Sequence, residues 1–314
     1  MTSIGNTVRQ AAEPGPTVTI LLCTYNGATF LPQQLASLRS QTRRGWRLVV
    51  SDDGSRDGSR ELCARLIGES QLEVRDGPKQ GACRNFMSLI TDPRIGGDYF
   101  AYCDQDDVWH PDKLERAINA LAAVARLKPA MYCSRTRIIA ADGSHLGHSQ
   151  LHPRAPDFRN ALVENIASGN TIVLNKPARD LLIAAGALDV VLHDWWTYLL
   201  VSGAGGTVCY DPAPTLDYRQ HANNVVGMAR GFGWTRLLSL FGRKFSIVNS
   251  LNLAALLRHR HLLSLENRDV LDDFASLKSS SLRDRWRFFR RAGLYKQTTY
   301  GQIWLTTAVA LRLI

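Results

Sequence analysis

The first 130 residues alternate between short apolar segments and longer segments with helical periodicity, and this alternation restricts the possible folds more than any other feature. Residues 17–24, TVTILLCT, are β-branched and apolar throughout, which is typical of a strand buried on both faces of a parallel sheet. Further strands are predicted at WRLVV and DYFAYC, and helices at FLPQQLASLRSQ, RDGSRELCARLIG and HPDKLERAINALAAVARL. Since helices that connect parallel strands form right-handed βαβ units, we expect an α/β fold with a mostly parallel central sheet.

Three clusters of polar residues interrupt this pattern, each directly behind a predicted strand. They are TYN at residues 24–26, SDDGS at residues 51–55 and DQDD at residues 104–107. Ligands of open α/β sheets bind at the carboxyl ends of the strands, so the three clusters are expected to line one edge of the sheet. Their combination predicts a ligand site more strongly than any single cluster does.

A glycine-rich phosphate loop is not predicted. Neither G-x-G-x-x-G nor G-x-x-x-x-G-K-[ST] follows the first strand. A diphosphate can instead be held through Mg²⁺ or Mn²⁺, which prefer oxygen ligands and share their coordination shell with phosphate oxygens. DQDD could supply such ligands, but an acidic cluster before a helix is more often a solvated cap, and the cluster alone leaves both interpretations open.

In their order and spacing, the motifs ILLCTYNGATFLPQQLASLRSQT, VVSDDGSRDGS and DYFAYCDQDDVWHPDKLE resemble the family 2 glycosyltransferases. Farther along, SGNTIVLN, LHDWWTYLLVSGAGG and DYRQHANNVVG look like the rhamnosyltransferase subgroup of surface-polysaccharide assembly. The resemblance covers residues 17–227. It implies a GT-A fold, which is a Rossmann-like nucleotide-sugar-binding domain, a nucleotide-sugar donor, and inverting transfer in one displacement.

The resemblance implies that the donor nucleoside binds at the first two clusters. Tyr25, flanked by Thr24 and Asn26, would lie against the base, although it could also be a turn aromatic packed on the helix below. Asp52 and Asp53 would accept hydrogen bonds from a base N–H and nearby groups, which favours UDP or dTDP donors because uracil and thymine carry an N3–H. The same pair could close a type I turn, with one aspartate in each role.

At the third cluster the resemblance implies the sugar–phosphate end of the donor. Asp104 would lie near the ribose, and Asp106 would bind a Mg²⁺ or Mn²⁺ ion that bridges the two phosphates. Asp107 could instead cap the following helix. His221 matches a family histidine that contacts the metal or the diphosphate, and Arg219 could pair with phosphate oxygens.

Asp194 is the candidate general base, because the family has an acidic dipeptide at this helix N-terminus; here His193 takes its first position. Asp194 would take the proton of the acceptor hydroxyl as it attacks the anomeric carbon, and one base is sufficient because no covalent glycosyl-enzyme forms. An ordinary helix cap is the alternative. Trp195 and Trp196 could offer a face to the sugar or acceptor, or could be core residues.

The positive charge of the chain is concentrated towards its C-terminal end. The formal net charge is +10, yet residues 1–229 contain 23 basic and 23 acidic side chains, whereas residues 230–314 contain 15 and 5. We therefore predict three parts: a flexible N-terminal tail (1–16), a GT-A glycosyltransferase domain (17–229) and a basic helical region (230–314).

Within the basic region, SLRDRWRFFRRAGLYK predicts an amphipathic helix. Leu282, Trp286 and Phe289 recur on one side of it. The other side carries four arginines: Arg283, Arg287, Arg290 and Arg291. Such a helix would suit the anionic inner leaflet of a membrane, although it could also pack on the catalytic domain. The following IWLTTAVALRLI could dip into a membrane or pack, but it is too short to span one.

Other features predict a cytoplasmic protein that is peripheral on the membrane. The six cysteines are scattered without a C-x-x-C pair, as expected in a reducing compartment. The N-terminal residues lack the apolar stretch of a signal peptide. The predicted activity is transfer of a sugar, with dTDP-L-rhamnose as the favoured donor and a UDP-sugar as the alternative, to a saccharide or lipid-linked saccharide acceptor.

Two other functional classes fit the sequence less well. A nucleotidyltransferase also binds a nucleoside phosphate through carboxylates and metal, but it usually has an N-terminal glycine-rich loop with Lys or Arg, which CTYNGATF lacks. A nucleic-acid-binding protein could use the basic region. Its arginines are mixed with bulky apolar residues, and no nucleic-acid motif accompanies them, so no nucleic acid partner is expected.

Overall fold

A computed structural model describes residues 15–186, 190–221 and 248–314. Its strands are β1 (Val18–Thr24), β2 (Trp46–Asp52), β3 (Leu72–Asp76), β4 (Tyr99–Cys103), β5 (Val108–Trp109), β6 (Ala130–Ser134), β7 (Arg137–Ala140), β8 (His145–His148), β9 (Val173–Asn175), β10 (Thr207–Asp211) and β11 (Leu216–Gln220). Its α-helices are α1 (Leu31–Arg39), α2 (Ser59–Leu66), α3 (Ala82–Ile90), α4 (Lys113–Ala122), α5 (Phe158–Ala161), α6 (Lys176–Ala185), α7 (His193–Gly203), α8 (residues 248–258), α9 (Leu265–Ser276), α10 (Leu282–Ala292) and α11 (Thr299–Ala310).

Seven strands form the central sheet, in the order β10-β6-β9-β4-β1-β2-β3. β1 pairs in parallel with β2 and β4, β2 with β3, and β6 with β10. β9 runs antiparallel to both of its neighbours, β4 and β6. The predicted α/β fold with a mostly parallel sheet is confirmed, although the antiparallel direction of β9 was not predicted.

β1 lies inside this sheet because both of its faces are apolar. Leu21 and Cys23 pack into one hydrophobic cluster, whereas Leu22 packs into the cluster on the opposite face. Alternate residues of a strand point to opposite faces, so a strand covered on both sides needs an unbroken apolar run. The parallel register then aligns Thr24 with Asp52 at the carboxyl ends of β1 and β2.

A second, four-stranded sheet has the order β5-β11-β7-β8. β5 directly follows the DQDD segment and pairs antiparallel with β11, which also pairs in parallel with β7. This pairing brings the end of β11, with His221 behind it, next to Asp106, although 115 positions separate the two residues in the chain.

The C-terminal helices pack on the side of the domain that carries α7. Leu271, Phe274 and Leu305 belong to the same hydrophobic cluster as Trp196. Helices are therefore present in the predicted basic region. The predicted boundary between residues 229 and 230 lies outside the described residues, as do the first 14 residues of the predicted tail.

α10 is amphipathic, but part of its apolar side packs on the protein and is not free to face a membrane. Trp286 and Phe289 are partly buried, and Phe289 packs against the core, whereas Leu282 is 55% exposed. Arg285 is buried, and its guanidinium donates hydrogen bonds to four carbonyl oxygens, those of Leu277, Ser280, Val309 and Ala310. One side of α10 is therefore packing surface. Across residues 15–186, 190–221 and 248–314, no helix is both long and apolar enough to cross a membrane.

Candidate active site

Gln105 connects the exit loop of β1 to the DQDD segment. Its Oε1 accepts hydrogen bonds from Thr24 Oγ1 at 2.8 Å and from Tyr25 N at 2.9 Å, and its Nε2 donates to Tyr25 O at 3.3 Å. A Cβ atom at Gly27 would lie 2.3 Å from Gln105 Oε1, so this close approach favours glycine there. The first and third polar clusters are therefore neighbours. Gln105 was not predicted as a site residue, and only its place between two candidate aspartates points to it.

Tyr25 and Asn26 have different environments at this exit loop. The Tyr25 side chain is 58% exposed, so its ring is accessible to a ligand. Asn26 has a φ of 48°, a left-handed conformation that asparagine tolerates. Its N–H donates to Ser55 Oγ at 2.9 Å, and its Oδ1 accepts from Arg56 N at 3.0 Å. Asn26 therefore ties the loop after β1 to the loop after β2, and Tyr25 is the residue that can stack on a base.

Asp52 and Asp53 both accept hydrogen bonds from the backbone. Asp52 Oδ1 accepts from two N–H groups of its own turn, at 2.9 and 2.8 Å, which supports the turn-closing role for this residue. Asp53 accepts from Lys79 N at 2.7 Å and from Gly81 N at 3.0 Å, and so fixes the loop before α3. Asp52 is 5% exposed and Asp53 is partly exposed, so Asp53 is the more accessible partner for a base N–H.

The three aspartates of DQDD lie in different environments. Asp107 is fully buried; its Oδ2 accepts from Asn170 Nδ2 at 2.6 Å and its Oδ1 from Arg219 N at 3.2 Å. It does not cap α4, which begins several residues later, so the capping interpretation of Asp107 is wrong. Asp104 and Asp106 are partly exposed. A ligand at the sheet edge can therefore reach these two.

The electrostatic environment of Asp104 connects the DQDD segment to the candidate base. Burial, followed by the neighbouring carboxylates of Asp106 and Asp194, raises the pKa of Asp104 to about 7. The buried ammonium of Lys113 acts in the opposite direction, and burial lowers its own pKa to about 7. A divalent cation would relieve the repulsion between these carboxylates, because a nearby positive charge favours their ionised form.

His221 lies at Asp106, as a shared metal site requires. Its Nε2 is 2.8 Å from Asp106 Oδ2, and the two side chains are 12% and 15% exposed. The imidazole stacks on Phe30 with ring centroids 4.8 Å apart, which fixes the plane of the ring. The structure therefore brings together the two residues predicted as metal ligands.

The Arg219 side chain is buried and donates hydrogen bonds to other parts of the protein. It is 2% exposed, and its guanidinium donates to Asp106 O at 3.0 Å, Ala141 O at 2.9 Å and Gln33 Oε1 at 2.5 Å. These contacts connect β11, α1 and the DQDD segment. The predicted contact between Arg219 and phosphate oxygens is not supported by this arrangement, because the side chain is enclosed by protein acceptors.

Asp106 and His221 are the residues that could hold a divalent cation. In the part of the chain that the structure describes, no group of three or more His, Cys, Asp or Glu side chains could bind a metal by itself. The pair nevertheless fits an ion that takes one or two protein ligands and completes its shell with substrate phosphates and water, as Mg²⁺ commonly does. An imidazole nitrogen beside a carboxylate oxygen also suits the transition metals.

Asp194 lies in the first turn of α7. Its Oδ2 accepts from Gly169 N at 3.2 Å and its Oδ1 from Trp195 N at 2.6 Å. Burial raises its pKa to about 6, within the range that suits a general base near neutral pH. His193 stacks on Phe86 with ring centroids 4.3 Å apart, and burial lowers its pKa to about 3. His193 is therefore neutral at physiological pH and does not replace the acid that the family has at its position.

Trp195 and Trp196 belong to the core. They are 6% and 0% exposed, and Trp195 Nε1 donates to Ala161 O at 2.7 Å. Both side chains lie in the hydrophobic cluster that the C-terminal helices complete. The predicted contact of these tryptophans with the sugar or acceptor is therefore wrong, and the core alternative is correct.

Known proteins share this sequence pattern and this fold. The chain matches the model "Glycosyl transferase family 2" over residues 19–173. It is 30% identical over 219 residues to the "dTDP-rhamnosyl transferase RfbG" of Shigella flexneri, across 66% of this chain and 73% of the relative.

Two solved structures have a similar fold. S. aureus TarS 1–349 in complex with UDP-GlcNAc has a TM-score of 0.58 and 13% identity, over 95% of this chain and 79% of that one. The mannosyltransferase PcManGT from Pyrobaculum calidifontis, in complex with GDP-Man and Mn²⁺, has a TM-score of 0.51 and 17% identity, over 91% and 90%. At these identities the likeness concerns the fold.

Proposed function

This chain belongs to glycosyl transferase family 2, and we propose that within the family it is a metal-dependent, inverting rhamnosyltransferase. The proposed donor is dTDP-L-rhamnose, and the proposed acceptor is a saccharide or lipid-linked saccharide of a cell-surface polysaccharide. Support for the sugar comes from the relative named a dTDP-rhamnosyl transferase, which is similar over two thirds of this chain. Support for a pyrimidine base comes from Asp53, which has a partly exposed carboxylate and whose backbone N–H donates to Thr24 O, next to the exposed Tyr25.

The observation that carries the proposal is the convergence of four side chains at one edge of the sheet. His221 Nε2 lies 2.8 Å from Asp106 Oδ2, and the charges of Asp106 and Asp194 both act on Asp104. These residues come from the end of β11, the DQDD segment and α7, which are far apart in the chain. Packing alone does not require acidic side chains to gather in this way, whereas a site that binds a cation and deprotonates a hydroxyl uses them.

The chemistry would proceed in one displacement. The acceptor hydroxyl loses its proton to Asp194 as its oxygen attacks the anomeric carbon, and the bond from that carbon to the diphosphate oxygen breaks in the same step. The configuration therefore inverts without a glycosyl-enzyme. A divalent cation, when bound, supplies Lewis-acid stabilisation of the charge on the departing diphosphate. Asp106 and His221 would hold the ion, Asp104 would contact the ribose and Tyr25 the base.

A thermal-shift panel tests the donor assignment. The protein is heated with dTDP-rhamnose, UDP-sugars or GDP-mannose, each with and without Mg²⁺ or Mn²⁺, because a ligand that binds the folded state raises its melting temperature. We expect the largest rise with dTDP-rhamnose and metal, together with release of dTDP when an acceptor is added. A larger rise with a UDP-sugar would reassign the donor, and the absence of any response to nucleotide sugars would contradict the proposal.

We also propose that the basic C-terminal region binds an anionic membrane surface through α11. Tyr300, Ile303 and Leu311 are 76%, 60% and 63% exposed, and at their spacing they form one stripe along α11 that ends at its C-cap, Leu311. Arg312 is exposed at the end of this stripe, and its guanidinium donates to Ser280 O, beside the start of the arginine-rich α10. An exposed apolar stripe flanked by basic residues is complementary to anionic lipid.

Co-sedimentation with phosphatidylcholine vesicles, with and without phosphatidylglycerol, tests this surface. We expect the protein to pellet only with the anionic vesicles, and Ile303→Glu to weaken binding at least about tenfold, because it removes apolar contact and adds repulsion. Leu127→Glu is the control, since Leu127 is 88% exposed and lies outside the C-terminal helices. Failure of the unchanged protein to pellet, or an equal loss in both variants, would contradict the proposal.

A further inference from the structure

The short 3₁₀ helix Gly169–Thr171 joins the two sides of the candidate active site. Gly169 N donates to Asp194 Oδ2 at 3.2 Å, and the neighbouring Asn170 Nδ2 donates to Asp107 Oδ2 at 2.6 Å. One turn of backbone therefore contacts both the candidate base and the acidic DQDD segment. The segment is itself attached to the central sheet, because it leads directly into β9.

This bridge is buried, and its orientation is defined by further hydrogen bonds. Asn170 is 1% exposed and Asp107 is 0% exposed. Ser168 Oγ donates to Asn170 Oδ1 at 2.8 Å, and Lys113 Nζ donates to Asn170 O at 3.0 Å. Both the side chain and the carbonyl of Asn170 therefore have defined partners, and a buried network whose members are all satisfied is rigid.

The far end of the bridge reaches the candidate metal ligands. Asp107 Oδ1 accepts from Arg219 N at 3.2 Å, and Arg219 Nε donates to Asp106 O at 3.0 Å. His221, two residues farther along the chain, lies 2.8 Å from Asp106 Oδ2. Hydrogen bonds and short backbone segments thus connect the candidate base to the candidate metal site, and the residues between these two ends are buried.

We propose that Asn170 is a positioning residue, which sets the distance between the general base and the donor diphosphate. This inference rests on the proposed function, because it assigns Asn170 a role only in sugar transfer. Misplacement of reacting groups by about an ångström can reduce a rate about a hundredfold. Disruption of the Asn170–Asp107 contact should therefore lower kcat and leave the donor KM nearly unchanged, since the buried asparagine is not accessible to the donor.

Exchange of the two side chains is the decisive experiment. Asn170→Asp places two buried carboxylates against each other, and we expect its kcat to fall at least about tenfold with the donor KM within about threefold of the unchanged protein. Asp107→Asn leaves two amides that can pair only after Asn170 reorients, and we expect a smaller fall in kcat, of about threefold. The double variant restores the pair with reversed roles: the new amide donates to the new carboxylate and its carbonyl oxygen still accepts from Arg219 N. We expect its kcat to return to within about threefold. A double variant that folds normally but stays below about one tenth of the original kcat overturns the proposal.

Asn175→Ala is the matched control. Asn175 is also buried, at 8% exposure, and its Oδ1 accepts from Ala130 N and Ala178 N, but it is not part of the bridge. This variant should lower the melting temperature without changing kcat well below that temperature. A kcat loss equal to that of the single exchanges would show that loosened packing, not positioning, controls the rate, and would overturn the proposal.

A milder variant covers the case in which a single exchange does not fold. Ser168→Ala removes only the hydroxyl that orients Asn170, and we expect kcat to fall about threefold at unchanged donor KM; an unchanged kcat counts against the proposal. The unchanged protein separates the two hypotheses. If it transfers no sugar from any donor, the proposed function fails; if it transfers sugar but the double variant does not recover, only the positioning role of Asn170 fails.

Discussion

The N-terminal and C-terminal halves of the chain use their sequence motifs differently. In the first half, the residues behind β1 and β4 remain accessible: Tyr25 is 58% exposed, and Asp104 and Asp106 are partly exposed. In the second half, Trp195 and Arg219 occupy equally conspicuous motifs but are only 6% and 2% exposed. Motif residues that were all predicted to contact a ligand are therefore accessible in one half and packed inside the protein in the other.

The topology explains this difference. β1, β2 and β4 are parallel neighbours that end at the same edge, so the loops behind them are exposed together. α7 is instead covered by the C-terminal helices, with Ser264 N donating to Gly203 O at its end, and its large aromatic residues fill the core beneath them. In this protein, motif residues directly after a parallel strand are accessible to a ligand. Motif residues along the covered helix α7 pack in the core, except in its first turn.

The largest effect is expected from the first half, at Asp106. Asp106→Asn should reduce sugar transfer about a thousandfold, because the carboxylate that would hold the cation is lost together with its stabilisation of the leaving diphosphate. Steady-state kinetics with added Mg²⁺ or Mn²⁺ measure this. Asp112→Asn, at the partly exposed N-cap of α4, is the control and should retain activity. Full activity of the unchanged protein in EDTA would remove the metal from the mechanism.

Asp194 differs from the other motif residues of α7, because it lies in the first turn of this covered helix and is the candidate base. Asp194→Asn should lower kcat about a hundredfold, the usual contribution of a general base, and leave the donor-induced rise in melting temperature unchanged. Asp180→Asn, on the exposed side of α6, is the control. Unimpaired transfer by Asp194→Asn would mean that another residue is the base and that α7 has only a packing role.

The pH dependence of transfer sharpens this assignment. Burial raises the pKa of Asp194 from its usual acidic range to about 6, and a base acts only when it is deprotonated. The kcat should therefore fall about tenfold per pH unit below this value. His193 does not contribute to this limb, since its pKa is lowered to about 3. The residual activity of Asp194→Asn should show no such limb, and an identical profile in both proteins would assign the titration to another group, such as Asp104.

Much of the fold could be predicted because its signals are local. An unbroken apolar run predicts a strand buried on both faces, and the polar residues that follow it predict where the strand ends. Both predictions use only neighbouring residues in the sequence. The antiparallel direction of β9 and the second sheet depend on pairings between distant segments, for which the sequence carries no local pattern.

The candidate site shows the same limit. Asp104, Asp106 and Asp194 could be selected because they match motif positions of the family that the sequence resembles. Gln105 and Asn170 could not, because an amide side chain has no distinctive pattern and its importance comes from two partners that the fold brings together. The burial of Trp195 and Trp196 on α7 likewise depends on the later C-terminal helices. The burial of Arg219 on β11 depends on contacts with distant earlier segments, which contain Gln33, Asp106 and Ala141.

A smaller effect, on stability, is expected from the C-terminal helices. Arg285→Met should reduce the free energy of unfolding by about 2–3 kcal/mol, because two buried and two partly buried carbonyl oxygens lose their donor. Arg283→Met, on the exposed side of the same helix, should change it by less than about 0.5 kcal/mol. Urea unfolding measures both. Equal effects would mean that the arginines of α10 are interchangeable surface charges, contrary to the packing role of its inner side.

The smallest effects are expected from two aromatic residues, Trp195 in the C-terminal half of the chain and Tyr25 in the N-terminal half. Trp195→Phe removes the indole N–H that donates to Ala161 O, so it should lower the free energy of unfolding by about 1–2 kcal/mol while donor and acceptor KM stay within about twofold. Tyr25→Ala should do the reverse, because an exposed ring stabilises the fold little but can contribute about 1–3 kcal/mol by stacking on a base. Urea unfolding and steady-state kinetics on the same two variants separate the cases. If Trp195→Phe instead raised the acceptor KM without loss of stability, α7 would be a ligand surface after all, and the distinction between exposed strand ends and covered helices would not hold for this protein.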